Sequence, residues 1–196
     1  MKNLFPDEPA ITLYDPLADL LGAGDGHFRY TFDDAVKLAG HACPTVAGAF
    51  LMAIRALTEL YHDETPRRGE IRITLPGPVD QGVNGPISQV FTLLTGAAAD
   101  NGFHGLGHLY GRKDLMSFGA DPSGGFRFER ADTGATVTLF YDPSPIPADP
   151  DMPLLLQQIL QGGGDAVMRD QFAALWRERV QAILNDAGEQ TIHIMS

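Results

Sequence analysis

The strongest periodicity in the chain is helical and begins at Pro44. Apolar residues follow at three- and four-residue spacing, which predicts one buried face on a helix that continues to about Tyr61. The apolar positions of that face are Val46, Ala49, Phe50, Ala53, Ile54 and Leu57. Pro44 suits the first helical position because its missing N–H would have no partner there. Just upstream, Thr31 and Asp34 have the spacing of a capping box and predict a shorter helix that Gly40 ends.

Alternation of polar and apolar residues predicts the strands. Residues 70–75 alternate in this way, which is typical of a half-buried strand. Residues 126–129 and 136–141 flank the turn Asp132-Thr133-Gly134, and this arrangement predicts a β-hairpin. Residues 191–194 predict a terminal strand.

The remaining segments predict helices and one long loop. A helix is expected from Asn84 to a stop at Gly96, followed by a glycine-rich loop over 97–125 with one or two short strands. Two helices are expected in the tail, over 154–160 and from about 165 to 185. The second of these has an apolar face that must be buried against another surface.

Together these elements predict an α+β fold, in which helices pack on a small and mostly antiparallel sheet. We predict three parts: an N-terminal extension over 1–26, an α+β core over 27–150, and a C-terminal helical segment over 151–196 that packs on the core or on a dimer partner. With 196 residues, the chain is long enough to bury a core without disulfides or a structural metal.

The charge balance narrows the classes of partner. The 14 Lys and Arg residues stand against 25 Asp and Glu residues, which gives a formal charge of −11. A chain without a basic stripe has nothing to replace the counterions of phosphates, so neither nucleic acid nor an anionic membrane is an expected partner. No apolar run approaches the roughly 20 residues needed to cross a bilayer. The N-terminus lacks a signal-peptide pattern, and we expect a cytoplasmic protein.

Cys43 is the single cysteine, so the chain has no intramolecular disulfide and no Cys-rich zinc finger. It stands in Gly40-His41-Ala42-Cys43-Pro44, at the predicted start of a helix. The N–H groups and partial positive charge of a helix N-terminus stabilise a thiolate. His41 is close enough in sequence to act as a base for Cys43 or to bind the same metal ion. Thiolate and imidazole suit Zn, Fe or Ni better than Mg or Ca.

A second candidate lies in the glycine-rich loop, where His104 and His108 are four residues apart. This spacing is typical of metal ligands on a helix, but Gly102, Gly105 and Gly107 favour a loop instead. A loop of this kind can wrap an ion, and it can equally be a surface loop with incidental histidines. The pair gains meaning as a metal site only if it lies close to Cys43.

Two blocks of sequence carry a family resemblance. The segment Phe32–Pro44 contains an acidic helix followed by His41-Ala42-Cys43-Pro44, and it continues through Gly48 into the apolar helix. The second block, residues 89–96, ends in Leu-Thr-Gly. Both resemble the FmdE family, named after a component of formylmethanofuran dehydrogenase, whose members carry a His-Gly-His-x-Cys-Pro-Gly type motif between two helices. Residues 111–115 are similar to a later turn of that family, and the resemblance covers about residues 28–120.

The resemblance implies a metal site at His41 and Cys43, and an α+β core that forms an intertwined homodimer. The chain departs from the family pattern at Ala39, which stands where the family often has its first His, and at Thr45, where it often has Gly. Residues 79–84 also lack the cysteine that the family has there. We propose His104 and His108 as substitutes for the missing ligands.

The leading hypothesis is therefore a metal-binding protein with zinc as the first choice of ion and iron or nickel next. It would act as a metal-dependent enzyme on a small molecule, or as a metal- or cofactor-binding module. A metal-free thiol enzyme is the main alternative, with Cys43 as the nucleophile and His41 as its base. Haem binding through Cys43-Pro44 and a purely structural or interaction role are further alternatives.

Overall fold

A computed structural model describes Phe5, residues 9–119 and residues 124–195 of the chain. Within these residues the protein is a mixed α/β structure with six helices and two sheets. In chain order the elements are β1 (Ala10–Tyr14), α1 (Pro16–Leu20), β2 (His27–Thr31), α2 (Phe32–Ala39), α3 (Pro44–Tyr61), β3 (Ile71–Leu75), α4 (Asn84–Thr95), β4 (Met116–Phe118), β5 (Phe126–Arg130), β6 (Thr136–Tyr141), α5 (Met152–Leu160), α6 (Ala166–Asp186) and β7 (Ile192–Met195).

The larger sheet has five strands in the order β4-β3-β5-β6-β7. It is antiparallel throughout except between β3 and β4, so the predicted mostly antiparallel sheet is confirmed. The predicted hairpin is formed by β5 and β6, with Phe128 opposite Val137. Strand β3 alternates buried and more exposed residues, as the pattern of residues 70–75 predicted. The predicted terminal strand is β7, which pairs with β6 at one edge of this sheet.

Helix α3 forms the centre of the core and packs against α4, α6 and β6. Its apolar residues are buried along nearly the whole helix, and Phe50, Met52 and Leu57 are fully buried. Burying side chains of this size stabilises the fold by about 1.5–3 kcal/mol each. The buried helix therefore anchors the residues at its N-terminus to the core.

The predicted boundaries of α2, α3 and α4 are confirmed. The N–H of Thr31 donates to the Asp34 carboxylate over 3.0 Å, as a capping box requires. Gly40 ends α2 in the left-handed region with a φ of 76°, and Pro44 is the first residue of α3. Gly96 ends α4 in the same way, with a φ of 73°.

The N-terminal region contains elements that the sequence pattern did not predict. Strands β1 and β2 pair antiparallel in a separate two-stranded sheet, and the short helix α1 lies between them in the chain. Leu13 in β1 is fully buried. These strands are only five residues long and are separated by Pro, Asp and Gly, so the turn signals dominate the local pattern. Residues 1–4 and 6–8 of the predicted extension lie outside the described residues.

In the tail, the two predicted helices are α5 and α6, and they pack against each other. The C-terminal half of α6 buries Val180, Ile183 and Leu184, and α6 as a whole contacts α3. The beginning of α6 differs, because Val167 is exposed. The predicted apolar face is thus buried only over its second half within one chain.

The long segment 97–125 is a loop that contains the short strand β4, as predicted, with residues 120–123 outside the described part. None of the helices that the structure describes has the length and apolar character required to cross a lipid bilayer.

Candidate metal and thiol site at the start of helix α3

Cys43 is the N-cap of α3, in an extended conformation with φ −151° and ψ 165°. Its Sγ accepts a hydrogen bond from the N–H of Val46 over 3.4 Å. The sulfur thus takes the place of the oxygen that usually satisfies the first N–H groups of a helix. The predicted position of Cys43 at a helix start is confirmed. Its sulfur remains half-buried and lines a cavity.

His41 lies in the turn between α2 and α3 and is exposed. Its Nδ1 is 3.0 Å from the carbonyl oxygen of Ala39. When Nδ1 donates to this carbonyl, Nε2 is left as the free acceptor of the ring. The backbone therefore orients the imidazole much as carbonyl groups orient histidine ligands in metal sites. In the structure, His41 and Cys43 form no hydrogen bond with each other.

The backbone of this turn is held in place by two aromatic side chains from distant parts of the chain. The indole Nε1–H of Trp176 in α6 donates to the carbonyl of Ala42 over 2.7 Å. The hydroxyl of Tyr141 in β6 donates to the carbonyl of Pro44 over 2.9 Å. The sequence pattern predicted an apolar face on the helix over about 165–185, but not this contact of Trp176 with the turn. The two bonds fix the carbonyl groups on either side of Cys43.

Burial raises the pKa of the Tyr141 hydroxyl, nearby Arg179 lowers it, and the charge of Cys43 raises it further. The net shift is upward. Tyr141 is therefore a protonated hydrogen-bond donor at neutral pH. The bond from its hydroxyl to the Pro44 carbonyl places the tyrosine next to Cys43 in the candidate site.

A cavity of about 290 Å³ opens beside the turn. His41 and Cys43 both line it, and the other polar side chains of its wall belong to Thr45 and Gln89. The remaining lining residues are apolar or small: Leu38, Ala39, Val46, Val83, Pro86 and Val90. Such a volume is at the lower end of the range for small-molecule sites, which is about 300–1,000 Å³.

A second cavity of about 560 Å³ adjoins the first, because Leu38 and Gln89 line both. It extends along α4 to the segment 98–101 and to strand β4. The sequence pattern did not predict a cavity at these residues. The local signal was the apolar periodicity of α4. The same periodicity is expected whether the apolar face lines a cavity or packs in the core.

His104 and His108 are exposed residues of the loop between α4 and β4, as their glycine neighbours predicted. Neither lines the cavity that His41 and Cys43 share. Over residues 9–119 and 124–195, the structure contains no group of three or more His, Cys, Asp or Glu side chains arranged to hold a metal ion. One chain therefore brings together two of the four predicted ligands.

Comparison of the sequence with models of known protein families gave no match. Comparison with curated proteins also gave no match.

Proposed function

We propose that the protein binds a transition metal ion through His41 and Cys43, as a cytoplasmic homodimer that acts on or carries a small molecule. Zinc is the first choice of ion, with iron and nickel as alternatives. The observation that carries the proposal is the common cavity of the two side chains at the N-terminus of α3.

The chemistry of the donors fits such an ion. Thiolate sulfur and imidazole nitrogen are the usual protein ligands of zinc, and both are acceptable to iron and nickel. The bond of Nδ1 to Ala39 leaves Nε2 of His41 for the metal. The N–H of Val46 supports a negative charge on Cys43.

Zinc sites usually have four ligands, and one chain supplies two. We propose that His104 and His108 of a second copy complete the site. These histidines are exposed, and the apolar residues Phe103, Leu106 and Leu109 of the same loop are exposed as well. Apolar loop residues of this kind are typical of a surface that another chain covers. An ion with an open position would act as a Lewis acid or lower the pKa of bound water.

The first experiment is metal content by elemental mass spectrometry on untagged protein purified without chelator. We expect about one ion per complete site in the wild-type protein and loss of that ion in Cys43→Ser and His41→Ala. Serine is a good N-cap residue, so Cys43→Ser keeps the start of α3 while it removes the soft ligand.

His193→Ala is the matched control, because His193 is an exposed histidine of the edge strand β7. This variant should keep its metal. Full metal occupancy in Cys43→Ser would contradict the proposal, and so would wild-type protein that binds no zinc, iron or nickel when each is supplied.

The hydrogen bond from Val46 to the sulfur also favours a second function, a metal-free thiol enzyme with Cys43 as nucleophile and His41 as base. Alkylation rates measured against pH separate the two functions. A thiol enzyme predicts that metal-free Cys43 reacts rapidly well below about pH 8.5, the region where an ordinary cysteine ionises. Slow alkylation below that pH would remove this alternative.

A further inference from the structure

The two adjoining cavities share part of their walls, and we call the pair the α2–α4 groove, with one cavity as each end. One end is lined by His41 and Cys43, and the other end by Asp100 and Asn101. Leu38 of α2 and Gln89 of α4 line both cavities and so connect the ends. With volumes of about 290 and 560 Å³, the groove has room for a molecule larger than a metal ion with its water ligands.

The wall between the ends is mainly apolar and only partly covered. At the rim, 43% of Leu38, 53% of Val79 and 48% of Val83 are exposed, although all three are large apolar residues. Deeper in the groove, Met116 is buried. Exposed apolar side chains around a depression are typical of a site that an apolar ligand covers.

The charges in the groove restrict the chemistry of this ligand. Among the residues that the structure describes, neither Lys nor Arg lines either cavity. Asp100 is the one carboxylate of the lining, and no described side chain pairs with it. In the cavity that Asp100 lines, an anionic head group would therefore meet a carboxylate and no described Lys, Arg or His side chain.

From these observations we propose that the α2–α4 groove binds an elongated, mainly apolar small molecule that is uncharged or carries an amine. Its amine or hydroxyl group faces Asp100 and Asn101, and its other end reaches His41 and Cys43. This inference adds the class of ligand to the proposed function. It rests on that function only for the role of His41 and Cys43 at their end of the groove.

Three probes with the same alkyl chain and different head groups test the charge rule: octylamine, 1-octanol and octanoate. The readout is the methyl resonance of Met116 in protein labelled at its methionine methyl groups, assigned with Met116→Leu. The titrations are carried out on metal-free protein in chelator. If the protein binds no metal, these titrations can therefore still be interpreted. If no probe binds, the measured metal content still tests the metal proposal.

We expect octylamine and 1-octanol to shift the Met116 resonance, and octanoate to bind at least about tenfold more weakly than octylamine. In Asp100→Asn the advantage of octylamine over octanoate should shrink to less than about threefold. Asp170→Asn removes an exposed carboxylate from α6, outside the groove, and should keep the wild-type ratio.

Two results would overturn the inference. One is octanoate binding as tightly as octylamine in the wild-type protein. The other is an unchanged Met116 resonance with all three probes, because an apolar groove that is free in solution would take up at least one alkyl chain.

Discussion

At the scale of single residues, the best-defined polar group is Asp15, of which 5% of the side chain is exposed. Its carboxylate accepts bonds of 2.7 Å from both Arg68 and Arg112. Arg68 also donates to the carbonyls of Leu93 and Leu94, the last turn of α4. The cluster thus ties the N-terminal sheet to the end of a core helix, although its members are far apart in sequence.

Replacing Asp15 by Asn tests this cluster. Asparagine keeps the shape and the N-cap of α1 but leaves two nearly buried guanidinium groups without their partner charge. We expect the free energy of unfolding to fall by about 3 kcal/mol. Urea denaturation monitored by circular dichroism measures this change in the free energy of unfolding. Asp170→Asn, at an exposed position of α6, is the neutral control.

The pH dependence of the same variant follows from the pKa of Asp15. Burial alone would raise that pKa, but bonds and charge from Arg112, the N–H of Ala18 and the charge of Arg68 outweigh it, so the pKa lies below its ordinary value. Stability from Asp15 is therefore complete above about pH 4, near its unfolded pKa, and is lost as the pH falls through the lower folded pKa. The difference between wild type and Asp15→Asn should shrink only in that acid range. A constant difference down to about pH 2 would count against the ion pair as its source.

At the scale of elements, helix α3 and strand β6 meet at Gly48. A Cβ atom at this position would overlap ring atoms of Tyr141, whose hydroxyl bonds to the carbonyl of Pro44. Gly48 therefore lets the tyrosine approach the first turn of α3. Through this contact the sheet helps to hold the turn that carries Cys43.

Gly48→Ala should destabilise the protein by about 1–2 kcal/mol, even though alanine favours a helix by about 1 kcal/mol. The cost arises because Tyr141 must move and lose its bond to Pro44. In a Tyr141→Val background the clash is absent, so the same substitution should become stabilising. Thermal unfolding of the four proteins gives both values, and a destabilising effect of equal size in both backgrounds would contradict this explanation.

At the scale of the whole molecule, apolar surface remains uncovered on the C-terminal helices. Leu160 at the end of α5 is 76% exposed, and Val167 near the start of α6 is 75% exposed. A groove lined by Phe172 and Trp176 lies between these helices and the turn at Ala42. In the homodimer that we propose, a partner chain would cover such surface.

We expect light scattering to give twice the 21.2 kDa of one chain. The proposal that two copies share the site leads to a second prediction, for a hybrid dimer of one Cys43→Ser chain and one His104→Ala/His108→Ala chain. Each variant alone should lack metal. The hybrid should recover one ion, because the intact Cys43 of one chain meets the intact histidines of the other.

A monomer at micromolar concentration would refute the dimer and the shared site together. A dimer whose hybrid stays free of metal would refute the shared site alone, and the assignment of His41 and Cys43 would stand on its own experiment.

The local pattern predicted most of the elements because their signals lie within a few residues. The capping box at Thr31, proline at position 44 and glycine at position 96 each act through their own backbone, so the ends of α2, α3 and α4 follow from them. Strands β1 and β2 were missed because each is stabilised mainly by pairing with the other rather than by its own sequence.

The same distinction divides the candidate site. Local sequence is enough to predict Cys43 at a helix start beside His41, because the turn and Pro44 set the N-cap position. Their surroundings follow from long-range packing: the bonds from Trp176 and Tyr141, and the adjoining cavity that Asp100 lines. The two bonds join residues that are 134 and 97 positions apart, and burial in a common core brings them together where no local periodicity can.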